Sequence, residues 1–182
     1  MIERFSQECF FYNTTVKEHN ELNALILSNI EKLGKNSFSE DVSSISNTDW
    51  NLPAEVKRDY MDIVYPLFIN HFEEIEQSYG WWYKQTLTNF WYQQYEHLDY
   101  HNWHIHPSCL FSSVYYLELP EGSSRTEFKT PQSSFGISAR EGEILTFPSS
   151  IFHRSSPNKS TGRKTIIAAN WNALDWSKDV LK

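Results

Sequence analysis

His97-Leu98-Asp99-Tyr100-His101-Asn102-Trp103-His104-Ile105-His106-Pro107 gathers four of the chain's seven histidines within ten residues. On an extended segment, side chains at i and i+2 point to one face, so His104 and His106 are presented together. Imidazole is a borderline-soft donor that suits iron, zinc, copper and nickel. A lone histidine, His153, follows 47 positions later at the end of a strand-like segment, and it supplies a third ligand. A single histidine near a strand end more often only hydrogen-bonds to backbone; the paired and distal arrangement is what points to a metal. His97 and His101 read as bystanders or as supports for the ligands. Two carboxylates are weaker alternatives: Asp99, in the set His97 and Asp99, and more remotely Glu127. The first would leave His104 and His106 without a role.

Beyond His153 the chain offers a cation. Arg163 lies ten residues on, and Arg163-Lys164-Thr165-Ile166-Ile167-Ala168-Ala169 reads as the next strand. One hairpin would then bring a metal ligand and an anion-binding guanidinium into one cavity.

These residues resemble the Fe(II)/2-oxoglutarate dioxygenases, in particular their small microbial and phage prolyl-hydroxylase-like members. The resemblance covers roughly Thr86 to Asn172. It is carried by Tyr95, His104-Ile105-His106-Pro107, Ser113 to Leu117, Gly142 to Pro148, His153 and Arg163-Lys164-Thr165. It implies a mainly β protein whose core is a double-stranded β-helix, or jelly roll, with iron inside its mouth. It also implies Fe(II), 2-oxoglutarate as co-substrate, and O2. Iron would be held by His104, His106 and His153. Arg163, with Tyr116 and Tyr95 as candidate partners, would hold the far carboxylate of 2-oxoglutarate. Position 106 departs from the family's commonest pattern, which has a carboxylate there. The implied reaction couples oxidative decarboxylation of 2-oxoglutarate to hydroxylation of a C–H bond in a peptidyl proline, an amino acid or another small substrate. Rival readings are a cupin-type metal dioxygenase or isomerase that needs no 2-oxoglutarate, and a jelly-roll binding module without catalysis.

Composition sets the bounds. The 182 residues, 40% hydrophobic and 16% aromatic, suffice for one domain with a sizeable core. A net charge of −7 without a Lys/Arg stripe argues against generic nucleic-acid binding. Cys9 and Cys109 lack metal or disulfide spacing, which fits a reducing, cytoplasmic setting, a phage-infected bacterium included. Neither a signal sequence nor a membrane-length apolar run is visible.

Along the chain, residues 1–85 read as a support region with two or three helices packed on the outer sheet, and 86–174 as the jelly-roll core. A strand near Phe10-Phe11-Tyr12 precedes the capping-box form Thr15-Val16-Lys17-Glu18 and a helix with Leu22, Leu25, Ile26, Ile30 and Leu33 on one face, stopped at Gly34. Lys35 to Asn51 reads as a loop. Pro53 opens a second helix that Pro66 should kink or divide and Gly80 ends, with Trp81-Trp82-Tyr83 leading on. Strands are expected at Leu87–Tyr95, Cys109–Leu119, Arg125–Lys129, Glu143–Phe147 and Lys164–Trp171. Trp103 and Trp171 are candidates for a substrate wall.

Overall fold

The computed structural model describes residues 10–40, 43–79 and 84–173; the readings of Cys9, Gly80 and Trp81-Trp82-Tyr83 lie outside the described residues. The elements are β1 (Tyr12–Thr15), α1 (His19–Glu31), β2 (Phe38–Glu40), β3 (Ser43–Ile45), β4 (Asn47–Thr48), α2 (Asp59–Tyr79), β5 (Gln85–Tyr95), β6 (Tyr100–His104), β7 (Phe111–Glu118), β8 (Thr126–Lys129), β9 (Ser134–Gly136), β10 (Glu143–Pro148), β11 (Phe152–Ser155) and β12 (Lys164–Ala173). Two six-stranded antiparallel sheets form, in the orders β1-β10-β7-β12-β5-β4 and β2-β3-β6-β11-β8-β9. Strands β5 to β12 divide four and four between the sheets, which is the jelly roll expected from the sequence.

Strand alternation explains how one chain serves two cores. On β7, Val114 and Tyr116 face the inter-sheet space with Tyr95, Phe128, Phe147 and Ile166. Tyr115 and Leu117 face the other way, against the helices. There Ile26 and Ile30 of α1 and Tyr60, Val64, Phe68, Phe72 and Ile75 of α2 cover the larger sheet. Each such side chain, fully buried, contributes about 1.5–3 kcal/mol. The barrel interior is thereby left to the site. No helix among the described residues is long and apolar enough to cross a membrane.

Three local expectations change. Thr15 pairs in β1 with Glu143, so α1 starts at His19 behind Glu18, and no side-chain cap is made. Sheet pairing has overridden the capping box. Leu25 of the expected apolar face is half exposed, while Gly34 does close the helix region with a φ of 76°. The second helix begins only at Asp59, and Pro66 sits inside it without dividing it.

The described residues of the stretch 35–51 do not form the expected loop. The stretch supplies β2, β3 and β4 to the edges of both sheets, with Ser43, Ile45, Asn47, Thr48 and Asp49 buried. Its polar residues are spent on specific bonds. Asp49 accepts from Tyr60 Oη at 2.6 Å, the Tyr92 amide at 2.9 Å and Arg58 Nε at 3.1 Å. Burial pushes its carboxyl pKa up, against the opposing pull of those three partners. Asp49→Ala would leave the Tyr60 hydroxyl, the Tyr92 amide and the largely buried Arg58 cation without their acceptor. The expected cost is about 3–5 kcal/mol in urea denaturation. A loss under 1 kcal/mol would show that the segment is held by something else.

Candidate metal centre and its cavities

Pairing of β11 with β6 sets His153 directly opposite His104. His106 follows in the turn after β6, and its amide donates to the Ser149 carbonyl at 3.1 Å, which ties that turn to the loop between β10 and β11. One potential ligand atom from each of His104, His106 and His153 lies within 4.8 Å of the others.

The hydrogen bonds at the far side of each ring fix what it can do. His104 Nδ1 lies 2.7 Å from the Asn102 carbonyl, His153 Nδ1 3.0 Å from the Ile151 carbonyl, and His106 Nδ1 2.6 Å from Asn170 Oδ1. All three partners are oxygens that only accept. Each Nδ1 therefore carries the proton and each Nε2 keeps its lone pair. Burial pushes the imidazole pKa down to about 4 for His104 and about 2 for His153, and lowers that of His106, with the neighbouring imidazoles adding to the effect at His104 and His153. Three neutral imidazoles with converging lone pairs form a donor set that fits a divalent iron or its neighbours in the first transition row.

His101 is different. It stacks on His104 with centroids 4.0 Å apart, but its Nδ1 faces the Gln93 amide nitrogen at 3.5 Å and so accepts. Its Nε2 then bears the proton, which makes it a support for His104. The alternative carboxylate site is dismantled by its own bonds. Asp99 accepts from Ser44 Oγ at 2.7 Å, from Ser46 Oγ and from the Glu96 amide at 2.9 Å, while His97 Nδ1 meets the Ser160 carbonyl at 3.1 Å. Both belong to the turn after β5, in which Leu98 has a φ of 67°. Glu127 is likewise engaged, with Arg154 and Ser156.

The structure does not bring Arg163 to the triad. Its guanidinium forms two bonds to Glu118, at 2.9 and 3.1 Å, and approaches Glu31 at 3.7 Å. Neighbours on a strand face opposite ways, so Lys164 points inward instead. It is 1% exposed, bonds Ser155 Oγ at 2.8 Å and lies 5.0 Å from the centre of the Tyr95 ring. Burial pushes its ammonium down to about 7. Tyr95 Oη donates to Gln93 Oε1 at 2.8 Å, and Tyr116 Oη meets Thr126 Oγ1 at 2.7 Å; both rings are buried between the sheets.

Two cavities meet at the histidines. A narrow inner one of about 30 Å³ runs from the triad past Tyr95, Thr126 and Ser155. An outer one of about 680 Å³ opens from His101, His104 and His106 towards the mouth. Its aromatic corner is Trp50 against Trp91, with centroids 4.4 Å apart. The expected walls lie elsewhere: Trp103 is flanked by Arg154 and Lys129, and Trp171 packs on Phe72 of α2. Of the residues that matter here, the sequence reading missed Lys164, Asn170, Trp50 and Trp91. Parity along β12 carried a signal for the first: Lys164 shares its face with Ile166 and Ala168, which line the inner cavity or its core.

A family model of 2OG-Fe(II) oxygenases matches residues 89–140, the stretch from β5 through β9 that contains His104 and His106. No curated protein sequence matches the chain. Among solved structures, the viral collagen prolyl hydroxylase of Paramecium bursaria Chlorella virus-1, in a 2-oxoglutarate complex, matches with a TM-score of 0.61 at 16% identity, over 90% of this chain and 96% of that one. A prolyl-4-hydroxylase of Pseudomonas putida matches at 0.63 and 12%, over 90% and 92%. A prolyl hydroxylase of Trichoplax adhaerens, bound to a fragment of hypoxia inducible factor, matches at 0.64 and 14%, over 94% and 86%. The fold is the one these oxygenases share, and residues 89–140 are similar to the 2OG-Fe(II) oxygenase family model. Viral and bacterial prolyl hydroxylases are among the structures whose fold it resembles.

Proposed function

We propose that the protein is a non-haem Fe(II)/2-oxoglutarate-dependent hydroxylase acting on an uncharged residue within a polypeptide, a prolyl residue above all. One observation carries the reading: three neutral imidazoles meet at an inner cavity whose wall includes Ser155, the partner of the buried Lys164 ammonium. His104, His106 and His153 would hold the metal. Lys164, helped by Ser155 and Tyr95, would take the far carboxylate of 2-oxoglutarate by a charge-assisted bond. When bound, iron supplies the redox chemistry that couples decarboxylation of 2-oxoglutarate to activation of O2 and C–H hydroxylation. A cupin-type reaction without 2-oxoglutarate would leave the buried Lys164 cation unexplained. A binding module with a closed zinc site would need a fourth ligand, and the cluster found among the described residues has three.

The outer cavity supports the choice of substrate. None of the described residues that line it is Asp, Glu, Lys or Arg. A free amino acid would bring an ammonium and a carboxylate with no counter-charge to replace their water. A residue inside a peptide brings only amides, which Asn89, Gln93 and Asn172 can meet, and an apolar ring that suits Trp50 and Trp91. A reducing cytoplasm, of a bacterium or one infected by phage, is the setting proposed.

The test is anaerobic loading with Fe(II) and 2-oxoglutarate. The expected result is a weak visible charge-transfer band, followed by succinate release when O2 is admitted. Absence of both would sink the 2-oxoglutarate reading. Proline-containing peptides with blocked ends should then be hydroxylated, and free proline should not. Equal turnover of free proline would overturn the substrate assignment alone.

A further inference from the structure

We infer that Asn170 is the positioning residue that fits a histidine to ligand position 106. The inference rests on the reading that His104, His106 and His153 hold the metal.

The three imidazoles are oriented by different means. His104 and His153 each donate Nδ1–H to the main-chain carbonyl two residues back, Asn102 and Ile151. Any sequence provides such a carbonyl. His106 instead meets a side chain from another strand, Asn170 Oδ1 at 2.6 Å. If that oxygen is removed, no main-chain acceptor holds the Nδ1 proton. Ser112 Oγ stands 3.2 Å from both Asn170 Oδ1 and His106 Nδ1, and 3.1 Å from Ser149 Oγ, so it bridges the pair without replacing it.

The fold aims Asn170 with care. It is paired with Ser112 across β12 and β7, and its carbonyl accepts from Thr88 Oγ1 at 3.0 Å. The pairing of β12 with β5 shifts register between Asn170 and Trp171, the kind of bulge that re-aims a side chain. Asn170 is 7% exposed, so water competes little for its amide. The chemical role follows from the acceptor. A lone pair held at His106 Nε2 is a ligand, whereas the other tautomer would point N–H at the metal. The amide oxygen selects the useful tautomer and adds no charge. An aspartate at position 170 would select the same tautomer and restore, one bond removed, the negative charge that a carboxylate at 106 would have supplied.

Cobalt(II) titration of the metal-free protein tests this without turnover, read from the visible spectrum of the bound ion. Asn170→Ala should weaken binding about 10–100-fold. Asn170→Asp should bind at least as tightly as the unaltered protein. In a His106→Asp background, where no Nδ1 remains, Asn170→Ala should change affinity less than twofold. If Asn170→Ala does not fold, Asn170→Ser carries the same comparison. Binding unchanged by Asn170→Ala, failure of Asn170→Asp to rescue, or an equal loss in the His106→Asp background each overturns the inference. An unaltered protein that binds no cobalt sinks the three-histidine reading itself, and this inference with it.

Discussion

His153→Ala is expected to abolish tight metal binding, with an affinity loss above the ~10–100-fold that follows removal of a ligand's outer partner. His153 is 5% exposed and stands opposite His104 across β6 and β11, and its loss leaves only His104 and His106 of the cluster found among the described residues. Titration with Fe(II) or Co(II) reads the loss directly, and succinate release should fall with it. The contrasting variant is Asp99→Ala. Its carboxylate serves Ser44, Ser46 and the Glu96 amide, so its removal should lower the melting temperature and leave metal affinity intact. Severe loss of metal in Asp99→Ala, together with tolerance of His106→Ala, would reverse the choice of ligands.

The jelly roll was legible through the resemblance, its strands β5, β7, β10 and β12 through their aromatic and β-branched content, and the candidate triad through the His104–His106 spacing, which reports one face of an extended segment. Alternation along β12 carries a further signal. If Ile166 faces the inter-sheet core, Lys164 does too and Arg163 does not. Residues 35–51 were illegible because serine, asparagine and aspartate favour turns in isolation. Only tertiary partners such as Tyr60, Tyr92 and Gln94 make them strands and buried hubs. Asn170 and Trp50 could not be found for a similar reason: each acts on residues far away in sequence, His106 and Trp91.

Lys164→Met should cost 2-oxoglutarate roughly two to four orders of magnitude in affinity, equivalent to the about 3–5 kcal/mol lost when one member of a buried ion pair is removed. Iron binding should survive. Arg163→Ala should change 2-oxoglutarate affinity little, because that guanidinium is committed to Glu118 at the part-exposed rim. The reverse pattern would return the anchor role to Arg163. Proton linkage gives a second readout. Burial holds the Lys164 ammonium at about 7, below its ordinary value of 10.5. With the folded pKa depressed for a base, the charged form is penalised in the folded state. That penalty is full below about pH 7 and fades as pH rises towards 10.5. Lys164→Met should therefore stabilise the unliganded protein at pH 6, by about 0.5–2 kcal/mol in urea, and lose that advantage near pH 10. A carboxylate paired with the ammonium raises its pKa again. Binding of 2-oxoglutarate above pH 7 must then take up a proton, and its affinity should fall by up to tenfold per pH unit. Calorimetry at pH 8 in two buffers of different ionisation enthalpy measures that proton. Equal binding enthalpies in the two buffers would mean that Lys164 does not meet the carboxylate.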